Sequence, residues 1–192
     1  AIVLLAVLVI ALSVFGRVTE RFDNLFYDTL SGLHAAAPSD RLIIVEIDND
    51  SQTQLGRWPW DRSQHAQAIT ALNQAGAKAI AYDVLFLEPG SEQGDQQLAD
   101  SMRGKAPVVL PLLIQSPGLN GAAADILRPV DPIGSAATAQ GIVDLSFDDD
   151  GIIRHMTLSR TVGGVETRHL MDVLHQAATG TPSPAYPRWQ AA

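Results

Sequence analysis

The chain contains no cysteine, which excludes a disulfide framework, a thiol nucleophile and any Cys-based zinc site. The compartment stays open, because a cysteine-free chain is compatible with an oxidising one. Basic residues are few: 13 Lys and Arg stand against 21 Asp and Glu, for a net charge of -8. A surface of that sign does not suit nucleic acid, whose phosphates require a basic one. Charged residues make up only 18% of the 192 residues, while 46% are hydrophobic. That mixture fits a folded domain with a proper core plus a helical appendage, and it excludes wholesale disorder. No internal repeat is visible.

Charge is wholly absent from residues 1–16, AIVLLAVLVIALSVFG, where Ser13 is the one hydroxyl. A bilayer span needs about 20 apolar residues, so the run is expected to be part of a longer N-terminal transmembrane helix. A signal-peptide core and a buried core helix are the alternatives, and no small-residue cleavage pattern follows. Residues 17–33 then turn amphipathic. Val18, Phe22, Leu25, Phe26 and Leu30 recur at helical spacing, with Glu20, Arg21, Asp23, Asn24 and Asp28 between them. The apolar stripe suits a homodimer contact. Gly32 and the Ala-Ala-Ala-Pro that follows are expected to end this juxtamembrane helix. The main domain is placed at 39–180, and a Pro-rich tail at 181–192.

Within the domain, 42–47 (LIIVEI) reads as a buried central strand. Residues 49–60 read as a loop with one short turn before Gly56. Asp61 and Gln64 form a capping-box pattern for a helix reaching Ala75, stopped by Gly76. Residues 79–86 read as a second strand, which would close a βαβ unit. A helix follows at 95–102. A strand at 107–114 carries prolines, and its ends are expected to fray or sit near an edge. Residues 116–131 form a weakly structured insertion, and 132–138 a short helix. Strands at 142–146 and 152–161 are joined through Asp150-Gly151. Gly163-Gly164 marks another turn, and a last helix spans 168–178. The fold class is α/β: a mixed sheet, largely parallel at its core, with flanking helices.

Chemistry is concentrated in 42–62, LIIVEIDNDSQTQLGRWPWDR. A strand ending in carboxylates and followed by a loop and helix is where open α/β sheets place ligands. Asp48 and Asp50 could serve a magnesium-dependent phosphatase, one attacking phosphorus and the others, with Asp148, Asp149 and Asp150, holding the metal. That enzyme would need a lysine for the phosphate, and neither Lys78 nor Lys105 is well placed. Asp148-Asp149-Asp150-Gly151 also resembles part of a calcium loop, yet the bidentate position falls on Thr157; a hairpin turn is the plainer reading. His65 lies near the buried stripe of its helix. Arg62 can pair with Asp48 or Asp83; Asp83, costly in the apolar AIAYDVLF run unless paired, should face Arg62, a backbone donor or a strand-end cavity shared with Asp48. A ligand pocket is therefore placed around Asp48, Asp50, Ser51, Trp58, Trp60, Arg62, His65, Asp83 and Glu88. A loop held by ion pairs and aromatic packing is the alternative. No catalytic set, metal site or cofactor is assigned.

These residues resemble the second type of CHASE domain, the extracellular sensory module of bacterial cyclases and histidine kinases. The matching pieces are IVEID with Ser51, LGRWPWDR with His65, and AGAKAIAYDVLFLEP. Asp95 with Leu98-Ala99, Gly141-Ile142-Val143, the Asp148-x-Asp150-Gly151-x-x-Arg154 stretch and the entry Tyr27-Asp28 also match. The resemblance implies an extracytoplasmic sensor in the bacterial plasma membrane. It would take a small-molecule or protein cue and pass it to an output enzyme in cis, a cyclase, diguanylate cyclase, phosphodiesterase or kinase. It supplies no catalytic residues. The chain is expected to be an excerpt of such a receptor, lacking its output domain. A purely structural or dimerising ectodomain is the other non-enzymatic reading.

Overall fold

The computed structural model describes residues 18–33, 37, 39–115 and 124–183. The expected membrane run at 1–16 and nearly all of the Pro-rich tail lie outside them. Among the described residues no helix is long and apolar enough to cross a membrane. The chain forms two compact units, 1–48 and 49–192.

In the first unit, helix α1 (Val18–Leu33) forms where the 3.6-residue spacing places it and runs through Gly32. Phe22, Leu25, Phe26 and Leu33 on it are exposed. The expected strand at 42–47 does not form. Its backbone belongs to no ladder, and Ile44 is 85% exposed. The β-branched run favours an extended backbone, but a strand also needs a neighbour to take its N–H and C=O groups. No other strand exists among the described residues of that unit.

The second unit opens with helix α2 (Asn49–Leu55), longer than the single turn expected. Helix α3 (Arg62–Gln74) starts at Asp61, whose carboxylate accepts the Ser63 N–H at 2.8 Å. Only half of the capping box is realised, because the Gln64 amide reaches instead to the Leu55 carbonyl at 3.2 Å. Gly76 at φ 85° then turns the chain left-handed, where a Cβ would be strained.

The sheet is built on β2 (Val108–Gln115), which is paired on both sides where fraying ends or a place near an edge were expected. β2 pairs in parallel with β1 (Ile80–Ala81) on one side and with β4 (Ala139–Ile142) on the other, and antiparallel with β3 (Asp125–Leu127). Pro111 is tolerated centrally because of where its missing donor falls. Tyr82 N–H reaches the Val109 carbonyl at 3.0 Å. The next donor along that edge of β2 would be two residues on, at Pro111, which has none. β1 accordingly ends after two residues instead of running to Phe86. The βαβ unit therefore lies one step later than expected, as β1, helix α4 (Glu92–Met102) and β2.

Side chains alternate across β2 and divide the core into two layers. Val108 and Leu110 join Ile69, Phe86, Leu98 and Ile133 under α3, α4 and the short α5 (Ile133–Ala136). Val109 faces the other way, against Leu170 and Val173 of α6 (Leu170–Thr179). Each such side chain contributes about 2 kcal/mol on burial. Between β4 and α6, the expected hairpin strands reduce to a single bridge, Ser146 to His155. The full hairpin is β5 (Ser159–Val162) with β6 (Val165–Arg168), turned by Gly163 and Gly164 at φ 58° and 82°.

Candidate functional site

The tryptophan segment folds as a turn resting on the first helical turn of α3. Trp60 Nε1 donates to the Gly56 carbonyl at 2.6 Å, which ties the turn to the end of α2. His65, 2% exposed, is the hub beneath it. Its ring meets Trp58 edge-on at 5.4 Å between centroids, Phe86 at 5.3 Å and Tyr82 at 5.9 Å, with Trp60 tilted at 6.2 Å. Edge-to-face geometry aims ring hydrogens at π faces, so the cluster is cohesive beyond its buried area. His65 Nδ1 lies 2.8 Å from the Tyr82 hydroxyl.

Burial, with help from the Arg62 cation, pushes the imidazole below its ordinary pKa; the Trp60 backbone hydrogen bond and Asp61 only partly oppose this. His65 is thus held neutral, a packing group with a polar tip. Burial also pushes the Tyr82 phenol up to about 12, so it stays protonated.

Arg62 fastens this cluster to α4. Its Nε donates to Asp95 Oδ1 at 2.9 Å, its Nη2 to the Glu88 carbonyl at 2.8 Å, and its guanidinium lies 4.6 Å over the Phe86 ring. Asp95 is itself buried and takes the Gly90 N–H on its second oxygen at 2.8 Å. Space here is tight: a Cβ on Gly90 would stand 3.0 Å from Asp95 Oδ1, and one on Gly94 would stand 3.1 Å from Arg62 Cβ.

Of the nine candidate residues, the structure brings Trp58, Trp60, Arg62 and His65 together, and Glu88 joins through its carbonyl. Arg62 pairs with Asp95 and not with Asp83, which corrects that expectation. Asp83 is exposed and acts electrostatically on His169, while its neighbour Tyr82 turns to His65. Successive residues of an extended chain point to opposite faces, which separates the two. Asp50 and Ser51 lie on α2, and Asp48 closes the first unit. Tyr82, Phe86 and Asp95 are the members the sequence reading missed. Phe86 and Tyr82 carried a readable signal, as aromatics in the run after β1. Asp95 stood among the pieces matching the family, but its helical position gave no sign of its ion pair.

Asp148 and Asp150 of the acidic run are already committed. Arg154, with its side chain 4% exposed, donates to Asp148 Oδ2 at 2.8 Å and to both oxygens of Asp150 at 2.9 and 2.8 Å. Arg154 holds the Asp150 carboxyl down at about 2. Those oxygens close a turn on a guanidinium, so neither the calcium loop nor the metal-holding pair of a phosphatase is formed by them. Among the described residues no group of three or more His, Cys, Asp or Glu is placed to hold a metal ion.

No curated protein and no solved structure matches the chain. The family model of the CHASE2 domain matches residues 2–184, nearly its whole length. This family comprises sensory domains of signalling receptors. The chain belongs to the CHASE2 domain family.

Proposed function

We propose that this chain is the sensory part of a bacterial receptor anchored in the plasma membrane, with the domain on the extracytoplasmic side. A small-molecule or protein cue shifts the domain between two arrangements. The shift passes through the N-terminal helices to an output enzyme in cis, a cyclase, diguanylate cyclase, phosphodiesterase or kinase. The apolar run 1–16 and the extracellular character of the family support the placement. The exposed stripe of α1 supports action as a homodimer.

The observation that carries the reading is the tryptophan turn. Trp58 is 39% exposed, yet its ring rests on buried His65, and Arg62 connects that point to α4 through Asp95. A ligand seated on Trp58 would thereby act on the packing between α3 and α4. It shifts the balance only if it binds one arrangement more tightly than the other. Tryptophan fluorescence of the full chain, screened against amino acids, nucleotides, sugars and divalent metals, tests this. A saturable change that disappears in Trp58→Ala is expected. No response across the library favours a structural ectodomain without a small-molecule ligand.

A further inference from the structure

His169 stands at a junction the tryptophan turn does not use. It extends the parallel sheet through its bridge to Ile142, and its N–H donates to the Leu158 carbonyl at 2.8 Å. It is also the N-cap of α6: in extended backbone (φ -70°, ψ 146°), its Nδ1 accepts the Met171 N–H at 3.2 Å. The ring is 3% exposed, and Nε2 is buried without a hydrogen-bond partner. A nitrogen whose lone pair takes a backbone N–H carries no proton, so the neutral ring keeps its hydrogen on Nε2. That hydrogen also bars a metal from Nε2, which would need the lone pair. The structure thus holds a buried donor with nothing to receive it, an arrangement native proteins seldom keep without a use.

Three carboxylates act on this ring electrostatically. Asp144, two residues past β4, favours charge on it most; Asp172 in the first turn of α6 and Asp83 beyond β1 follow. Burial outweighs them and keeps the pKa below its ordinary value. Asp144 is bound to Arg160 at 2.5 Å and Asp172 to Arg168 at 2.5 Å, so these two arginines temper the negative field.

We propose that His169 is a proton-operated latch on the start of α6. Uncharged, it caps the helix and holds it on the sheet. Charged, it must carry a proton on Nδ1, which expels the Met171 N–H, and both ring N–H groups then seek Asp144, Asp172 and Asp83. The two states are mutually exclusive at one atom. The helix start has no slack to absorb the change: a Cβ on Gly141 of β4 would stand 2.7 Å from Leu170 Cα. Movement there is therefore felt by the central sheet. The latch deepens the sensory role by naming a cue, the proton, and rests on that reading for its purpose.

The test follows the imidazole nitrogens of His169 and the Met171 amide by NMR in the full chain, from about pH 8 to about pH 5. At the upper end the Nε2–H tautomer is expected. On acidification the ring should charge and the Met171 amide should lose its hydrogen bond with one midpoint. Its exchange, corrected for intrinsic pH dependence, should rise about fivefold, the loss of one N-cap. His169→Asn keeps a capping oxygen and cannot charge, so its Met171 amide should stay unchanged across the range. An Nδ1–H tautomer at the upper end, a ring that charges while the Met171 amide is unmoved, or a ring that never charges would each overturn the latch. If the Asn variant does not fold, the two wild-type curves decide alone. The ligand screen on the tryptophan turn is independent, so failure of one reading leaves the other standing.

Discussion

Arg62 and Asp95 meet at 2.9 Å across 33 residues of sequence, with side chains 19% and 5% exposed. The pair joins the first turn of α3 to the first turn of α4. The Asp95 oxygens are divided between the guanidinium and the Gly90 N–H. Asp95→Ala would leave a half-buried cation and a backbone donor together without acceptors. Breaking such a pair from one side costs about 3 kcal/mol, so chemical denaturation should show a loss of that order. A change below about 0.5 kcal/mol, the level of an ordinary surface substitution, would mean that the pair does not hold the two helices.

Tyr82 supplies a spectroscopic check on the ring cluster. Its phenol is raised to about 12 by burial, and the chain has two other tyrosines, Tyr27 and Tyr186. Alkaline absorbance titration should show one tyrosine ionising late, a step missing in Tyr82→Phe. The linkage has a definite sign: the folded state prefers the protonated phenol. Its stabilising share is therefore present below the unfolded value near 10 and is lost as pH rises toward about 12. At neutral pH, Tyr82→Phe removes the hydroxyl facing His65 Nδ1 and should cost about 1 kcal/mol. A late step that survives the substitution would assign it to another residue.

The sequence was most legible where the signal is local. The stripe of α1, the Asp61 cap, the Gly76 stop and the Gly163-Gly164 turn each depend on a few adjacent residues, and each formed where read. Non-local facts were not legible. The 42–47 run has every property of a strand except a partner, and a partner is not encoded in the run itself. The prolines of β2 argued for fraying ends or a place near an edge, but the cost of Pro111 depends on which neighbouring strand has already ended. In the candidate site, the Trp-Pro-Trp and His65 members were visible because they are rare residues close together. Asp95 was hidden because nothing local distinguishes an ion-paired acid from a solvated one in the first turn of a helix.

Asp148 and Asp150 hold Arg154, and calcium should therefore find no site there. Calcium added to the full chain should leave its melting temperature unchanged; a stabilisation that saturates with metal would contradict the assignment. Acid provides the complementary reading. Asp150 is depressed to about 2 chiefly by its hydrogen bonds to Arg154. Its stabilising share is present above the unfolded value near 3.9 and fades as pH falls toward about 2. In Arg154→Met that acid-dependent component should vanish, while the turn also loses the group its acids close upon. Peptide-level hydrogen exchange over 143–156 should rise in the variant before the rest of the second unit is affected.

The stripe of α1 makes the dimer proposal testable residue by residue, and the absence of cysteine means that each introduced thiol is unique. Phe22, Leu25, Phe26 and Leu33 are exposed on that helix. At 100° per residue they fall within one sector, whereas Asn24, Asp28 and Ser31 lie on the opposite side. If α1 pairs with its copy, Phe22→Cys, Leu25→Cys, Phe26→Cys and Leu33→Cys should cross-link efficiently under mild oxidation. Asn24→Cys, Asp28→Cys and Ser31→Cys should remain monomeric. A disulfide needs Cα atoms within about 7 Å, so the yield reports proximity directly. Uniform trapping would indicate random collision, and no trapping at any position would leave the stripe without a second copy; either pattern removes the dimer from the mechanism. A period near 3.5 rather than 3.6 would further identify the contact as a left-handed coiled coil, the geometry able to pass a rotation or slide along the helix pair.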